Sequence, residues 1–519
     1  LKPFWLVLVF SGSDFHGWSL VALLATIRSP YRCLSFLAMQ GQRRKWTAAK
    51  AQADLPASAS HQGRWRGSRG NGGYPNVQTT SEDVAMCDDD GQEATQIAQR
   101  TRPRQFPRSV PRDVTGDGHA VKTVCVIGGG PSGLGICRSL CDAGFDVTLV
   151  QESRGLGGKC CTKFVNGKDD PTLHFDMGVQ LLRPEGPLRD ALDPSIAQPW
   201  PLPGRFKRIT CSGEWGAWSL DGTADIPTDG YVVGVPSMSS IGRHLAAQCK
   251  DLKIHLDRSG IVRGQHPKTW QWEVEWKREA PTATQLRYRP ELANAPMEVG
   301  RGDFDAVFLA FEANKLLRGC KSGYKMVEAS ATDSIRRQIA GRAKTSQVWN
   351  LMVAFDVELP MPWDAATLVG HPALAWVAVN SSKPERARVP QCFQLLSTKS
   401  WANWKQWSKR EVEQELLEEL LEFLHRVLGK RPPRPCFVLG GRWGNNTETV
   451  LTGTRVEGEF PMKAVGFNSG SPPVVWDAEN RMGAAGDWLC GFSVSDAYNA
   501  GVHAAAPLIK ELPDAEMGA

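Results

Sequence analysis

The stretch VKTVCVIGGGPSGLGICRSLCDAGFDVTLVQES, Val121 to Ser153, restricts this chain to few folds. Val124–Ile127 is a short apolar run and reads as a buried strand. Gly128, Gly130 and Gly133 follow in G-x-G-x-x-G spacing, with Pro131 and Ser132 between them. The pattern then continues as a helix from Leu134 to Leu140, which Ala143-Gly144 ends, and Val147–Val150 is a second buried strand. In such a unit the first glycine makes the tight turn. The second lets a pyrophosphate approach the backbone, and the third lets helix and strand pack closely. The free N–H groups of the helix N-terminus face the phosphates. The glycine spacing alone is a weak signal, but framed by strand, helix and strand it predicts dinucleotide binding. The second strand should end in an acid that holds the adenosine ribose. Val150-Gln151-Glu152 leaves two readings open, Glu152 as that acid or Gln151 with weaker, uncharged hydrogen bonds.

The chain has 519 residues, enough for two or three domains, and a net charge of +6 that says little about partners. Its thirteen cysteines lack C-x-x-C pairs and regular spacing, which predicts reduced thiols in an intracellular protein. No His/Cys cluster has zinc-ligand spacing, so no metal is expected. Residues 1–54 carry the apolar runs Phe4–Phe10 and Leu20–Ile27, then a basic, acid-poor segment. Neither run has the roughly 18–20 residues of a spanning helix, so no integral membrane span is expected. The segment reads either as a targeting leader, which would make the protein organellar instead of cytoplasmic, or as a non-native extension with Met39 as the start. Residues 55–120 read as a disordered linker. Its GRWRGSRGNGG, Gly63–Gly73, is taken as plain linker and not as an RNA contact, so no nucleic-acid partner is expected. A further segment, AAGDWLCGFSVSDAYNAG, Ala484–Gly501, sets Asp487 behind Gly486 in apolar, glycine-rich surroundings without a basic neighbour. A buried carboxylate needs a partner, so one is expected from elsewhere in the chain or from a cofactor.

Several motifs in order carry a family resemblance. Gln151 to Lys159, QESRGLGGK, and Phe175 to Gln180, FDMGVQ, resemble renalase and its bacterial relatives within the flavin amine oxidase superfamily. So do Tyr231–Ser239, Phe304–Ala310, Ser382-Lys383-Pro384, Arg442-Trp443 and the closing GDW stretch, and the resemblance runs from about Val121 onward. It implies an α/β fold: an FAD/NAD(P)-binding Rossmann-like domain of the p-hydroxybenzoate hydroxylase/amine oxidase type, with a second α+β substrate domain built on an antiparallel sheet. The expected FAD domain comprises 121–195, 231–315 and 435–519, and the substrate domain 196–230 and 316–434. Residues 279–302 are expected to be a loop insertion.

The resemblance further implies that Gly157, Gly158 and Lys159 follow the second strand beside FAD, that the backbone at Val262 meets the adenine, and that Asp487 accepts hydrogen bonds from the cofactor. The helix starting near Val494 would aim its positive end at the flavin. Trp443 is expected near the flavin face and Arg442 near a polar substrate group. The implied reaction is hydride transfer to flavin N5 from a small substrate, an NAD(P)H-type dihydronicotinamide nucleotide or an amine, with oxygen as one acceptor. Departures occur at Gln151, where the family has Glu, at Lys159, where it has Arg, and at Gly441, where bacterial relatives often have His.

A second G-x-G-x-x-G between strand and helix is missing, which argues against a separate NAD(P)H domain. The adjacent pair Cys160-Cys161 does not have disulfide-reductase spacing, and no cysteine lies between Cys436 and Cys490 to bond the flavin, so the FAD is expected to be noncovalent. Cys161, Cys490 and His174 are read as structural. The alternatives are a carotenoid or porphyrin desaturase-like flavoenzyme and a non-enzymatic, FAD-stabilised binding protein. The amphipathic segment Lys409–Lys430 is expected to pack on the second domain's sheet.

Overall fold

The computed structural model describes residues 121–511, apart from 166–171, nearly all of 279–297, 313–332, 340–345, 405–407, 447–473 and 491–492. The expected leader (1–54) and linker (55–120) lie outside the described residues.

Strands β1 (Thr123–Ile127), β2 (Asp146–Gln151), β9 (Lys253–Leu256), β13 (Ala306–Leu309), β19 (Val475–Asp477) and β20 (Met482–Ala484) form a six-stranded sheet in the order β19-β20-β13-β1-β2-β9. All neighbours are parallel except β19 and β20. The unbroken apolar runs in β1 and β13 follow from burial on both faces. One face carries helix α1 (Pro131–Asp142) and the last helix, α4 (Val494–Ile509), whose Leu134, Leu140, Val494 and Leu508 share a core with Val124, Val147 and Phe308. The small-residue run of α4 has a mechanical cause. A Cβ on Gly501 would overlap the carbonyl oxygen of Ser132, and one on Gly135 would overlap that of Tyr498, so the two helices meet backbone to backbone. The other face carries a three-stranded antiparallel sheet, β10 (Ser259–Gln265), β11 (Trp272–Lys277) and β12 (Val299–Phe304). Residues 299–302, expected in a loop insertion, therefore belong to a strand: β12 continues the β11 ladder from Val299.

A seven-stranded sheet has the order β18-β14-β17-β16-β15-β6-β7. Its members are β6 (Phe206–Glu214), β7 (Ala217–Asp225), β14 (Ser346–Phe355), β15 (Ala365–Val369), β16 (Leu374–Val379), β17 (Gln391–Ser397) and β18 (Phe437–Asn446). Adjacent pairs are antiparallel except β15 with β6. Strand β18 departs from the expected boundary at 435, because it pairs with β14 and so closes this sheet instead of joining the residues around β19 and β20. Helix α2 (Lys409–Leu428) covers one face through Leu416, Leu420, Phe423 and Leu424. A capping box of Ser408 with Glu411 starts it, and left-handed Gly429 stops it. The opposite face holds Val348, Trp376 and Leu396, which share the core of the dinucleotide half. The hairpin β3 (Thr162–Phe164) and β4 (His174–Asp176) also lies there, with Phe175 packed on Met352, Ala354 and Cys392. A short pair, β5 (Ala197–Pro199) with β8 (Val232–Gly234), completes the described strands.

A buried ionic cluster ties this hairpin to the segment after β16. Asp176 accepts from Lys383 Nζ (2.9 Å), Arg386 Nη2 (3.1 Å), Thr162 Oγ1 (2.6 Å) and the Met238 N–H (3.2 Å). Burial alone would raise its pKa, but Arg386 and Lys383 beside it hold the carboxyl well below the usual range. Burial lowers Lys383 to about 8 against the pull of Asp176.

Candidate dinucleotide site

The carboxyl ends of β1, β2 and β13 open onto a cavity of about 590 Å³, within the 300–1,000 Å³ range of small-molecule and cofactor sites. In an open parallel sheet this is where ligands bind, at the point where successive connections leave in opposite directions. Here β2 flanks β1 on one side and β13 on the other.

The glycine loop forms one wall. A Cβ on Gly128, at φ +112°, would fall 2.2 Å from the Ala310 carbonyl oxygen, so a side chain there is excluded twice over. Gly133 does not line the cavity; a Cβ on it would fall 1.8 Å from the Gly128 carbonyl oxygen, so it serves the helix–strand contact. Gly130 does face it, together with Pro131 and Ser132. A Cβ on Gly130 would lie 3.9 Å from the Gly158 Cα and one on Gly158 only 3.0 Å from the Gly130 Cα, so the second glycine loop packs against the first beside the cavity. Gly157 is spent on the fold, because its N–H donates to the Gly129 carbonyl at 2.7 Å.

Gln151 and Glu152, the two readings for the end of β2, both line the cavity but in different settings. Gln151 is buried, and its Oε1 accepts from the Gly129 N–H while its Nε2 donates to Ser153 Oγ, both at 2.5 Å. It braces the glycine loop. Glu152 is exposed and lines the cavity, which leaves it as the acid nearest the β2 end.

The far wall is Gly486 and Asp487, at the start of α3 (Asp487–Cys490), with Ser493 and Val494 at the start of α4. Asp487 has its partner in the chain: Lys159 Nζ donates to its Oδ2, joining segments 328 residues apart. Both groups are about one-fifth exposed or less, at 16% and 20%, and both line the cavity. Helix α4 begins with a capping box in which Ser493 Oγ accepts from the Asp496 N–H, and its first turn meets the cavity at Val494 and Ala497.

Besides Gly133 and Gly157, two further predicted residues do not line the cavity. Val262 is fully buried in the core between β10 and the six-stranded sheet, and Gly260 lines the cavity in its place. Arg442 is exposed and hydrogen-bonds Gln347, whereas Trp443 lines the cavity and donates from Nε1 to the Met177 carbonyl at 2.8 Å. Successive strand residues point to opposite faces, so β18 can deliver one of this pair and not both. His174 lies off the cavity, buried and stacked on Phe164 with centroids 5.7 Å apart. Cys161 lines the cavity, but burial pushes its thiol up to about 12, so it is not a thiolate at neutral pH. The Cys490 side chain lies outside the described residues. Sequence reasoning missed Met177, Phe311 and Ser493 as wall residues. Ser493 was readable as S-x-x-D before a helix.

The residues fit a dinucleotide. Two packed glycine loops form one wall, helix N-termini open on it and on the far wall, and the Lys159–Asp487 pair lines the cavity. Among the described residues no group of three or more His, Cys, Asp or Glu is placed to hold a metal ion, and no helix is long and apolar enough to cross a membrane.

A segment of 61 residues is 38% identical to uncharacterized protein R656 of Acanthamoeba polyphaga mimivirus, and that match spans 12% of each chain. Solved structures similar to this chain include putrescine oxidase bound to putrescine, with 12% identity over 75% of this chain and 99% of that one at TM-score 0.46. An oxidoreductase from Methanosarcina mazei matches with 12% identity over 75% and 100% of the two chains at TM-score 0.45. Residues 126–194 match the model of the NAD(P)-binding Rossmann-like domain, and the chain is an α/β protein built on that domain.

Proposed function

We propose that this chain is an FAD-dependent oxidoreductase of renalase-like type that takes a hydride from a small substrate, a dihydronicotinamide nucleotide or an amine. The observation that supports this reading is one cofactor-sized cavity at the β1 and β2 ends, lined by Gly130 and Gly158 of two packed glycine loops and by the Lys159–Asp487 pair. The segments around the six-stranded sheet then form the FAD domain, and the seven-stranded sheet supplies the substrate side.

A bound flavin supplies the hydride acceptor. The chain's part is to hold and tune it. Gly130, Ser132 and the α1 N-terminus take the pyrophosphate, Glu152 takes ribose hydroxyls, and Lys159 offers an ammonium to the phosphates. The free N–H groups of the first turn of α4 stabilise negative charge at its end of the cavity. Trp443 and Met177 wall off the side nearest the seven-stranded sheet and exclude water there.

Acid precipitation of the purified full chain tests the cofactor. FAD in the supernatant is the expected result, and a colourless protein that also fails to bind added FAD rejects the reading. Anaerobic mixing of the yellow protein with dihydronicotinamide isomers and with amines then identifies the reductant by flavin bleaching.

A further inference from the structure

Two helices that begin on the cavity wall meet at their far ends through a pair of thiols. Helix α1 starts on the cavity with Pro131 and Ser132 and ends at Asp142. The helix Ser239–Ala247 starts on it with Ser239. Its Gly242 lies against the second glycine loop, where a Cβ would fall 2.5 Å from the Gly157 nitrogen. The last turn of α1 runs beside the end of this helix, and Arg138 Nη1 donates to Gln248 Oε1 at 3.0 Å. Cys141 is three residues after Arg138 and so shares its face of α1, which sets it beside Cys249, the residue after Gln248. Leu140, Leu245, Ala246 and Cys249 belong to one core cluster, and Cys141 packs on it from the solvent side. The Cys249 thiol hydrogen-bonds the Cys141 sulfur.

The two members differ. Cys249 is buried, with its Sγ 3.5 Å from the Leu245 carbonyl oxygen, and its hydrogen bond to Cys141 and its burial both push its thiol up. Cys141 is half-buried. The hydrogen bond from Cys249 lowers its pKa, with help from Arg138, and this outweighs partial burial and the charges of Asp142 and Asp251. Every other described cysteine has its thiol pushed up. The thiolate is the form that attacks oxidants, and redox-sensing cysteines combine that character with solvent access and a resolving thiol alongside.

We propose that Cys141 and Cys249 form a reversible disulfide, with Cys141 as the site of oxidation by a peroxide and Cys249 as the resolving thiol. The Cys141 sulfur attacks hydrogen peroxide. An S–O bond forms, the O–O bond breaks, and the hydroxide that leaves becomes water with the proton the thiol released. The Cys249 sulfur then attacks the sulfenic sulfur. The S–S bond forms, the S–O bond breaks, and a second water leaves with the Cys249 proton. Two thiols have lost two electrons, and one peroxide has been reduced to two waters. The link joins the far ends of two helices whose near ends support the two glycine loops, so it fastens the site without occupying it.

The inference is independent of the flavin reading, so the test uses the full chain with and without added FAD. The chain is reduced with dithiothreitol, desalted and treated with a small excess of hydrogen peroxide, and the remaining thiols are alkylated before digestion. Mass spectrometry should find peptides linked through Cys141 and Cys249, and dithiothreitol should release them. The oxidised chain should melt at a higher temperature than the reduced one, because the link restricts the unfolded chain. Cys249→Ser should abolish the link and leave Cys141 as a sulfenic acid that dimedone captures, whereas Cys141→Ser should leave Cys249 unmodified. Cys436 is exposed but has a raised thiol pKa, so it should react after Cys141. The map of the parent chain decides the matter without any variant. Oxidation of Cys436 with Cys141 still a thiol overturns the proposal, and so does oxidised Cys141 that is unlinked or linked to Cys137 one turn earlier.

Discussion

The two sheets handle buried polarity in opposite ways. Around the six-stranded sheet, the polar groups that shape the cavity are tied to one another. Gln151 holds the Gly129 N–H, Gly157 holds the Gly129 carbonyl, and Lys159 holds Asp487. On the inner face of the seven-stranded sheet, the amide oxygens of Asn350 and Gln394 are buried with no donor among the described residues. The first arrangement leaves each of these groups satisfied within the fold, whereas in the second each unmet acceptor costs stability.

The largest effect should come from cutting the bolt between the two regions. Asp176→Asn leaves Lys383 and Arg386 buried without their counter-charge, so unfolding by urea should show a loss of about 3–5 kcal/mol. If the loss stays below about 1 kcal/mol, the hairpin is held by Phe175 packing instead.

Next comes a pair of glycine variants that separates fold from ligand within one loop. Gly133→Ala drives a methyl into the Gly128 carbonyl and should cost about 1–3 kcal/mol of apo stability. A Cβ on Gly130 would meet no protein atom closer than 3.9 Å, so Gly130→Ala should melt like the parent while FAD binding is weakened. Equal melts and equal flavin content for both would remove the loop from the site.

Asp487→Ala should raise the FAD dissociation constant roughly ten- to hundredfold, the scale of a charge-assisted hydrogen bond of about 1.5–3 kcal/mol. It also releases Lys159, so the apo melt should fall slightly. A lowered apo melt with unchanged FAD affinity would confine Asp487 to its ion pair.

The smallest effect lies on the outer face of the seven-stranded sheet. Burial raises Glu419 to about 7, although Trp218 Nε1 donates to it at 3.1 Å. Its folded value exceeds the unfolded one, so its contribution is present below about pH 4.5 and lost as pH rises through 7. Neighbouring His371, lowered to about 3 by burial, stays neutral across that window. Glu419→Gln should flatten the pH dependence of the melt between pH 5 and 8 and stabilise the protein at pH 8 by about 1–2 kcal/mol. An unchanged slope would place the titration elsewhere.

The nucleotide half was legible in the sequence because its signals are local: three glycines, a strand on each side, and a helix whose start is written in the next few residues. The other half was not, since strand pairing in a mixed sheet is decided between distant segments. Nothing near Phe437 says that β18 joins β14. Nothing in Arg442-Trp443 says which of the two faces inward until the register is known. The partner of Asp487 was invisible for the same reason. Asn350 and Gln394 gave no warning either, because an amide in a strand ordinarily marks the solvent face.

The ion pair of Lys159 with Asp487 also sets a timetable for synthesis. Its members are 328 positions apart, so at roughly 5–20 residues per second a ribosome takes on the order of 16–66 s to pass from one to the other. Through that interval β1, α1 and β2 have emerged with the glycine loop, and from the time β13 (Ala306–Leu309) follows until β20 (Met482–Ala484) arrives, the edge of β13 is bare. An unpaired apolar strand is an invitation to other chains. The nascent protein must wait with half a binding site and one open edge, and the arrival of Met482–Ala484 and α4 ends both conditions together.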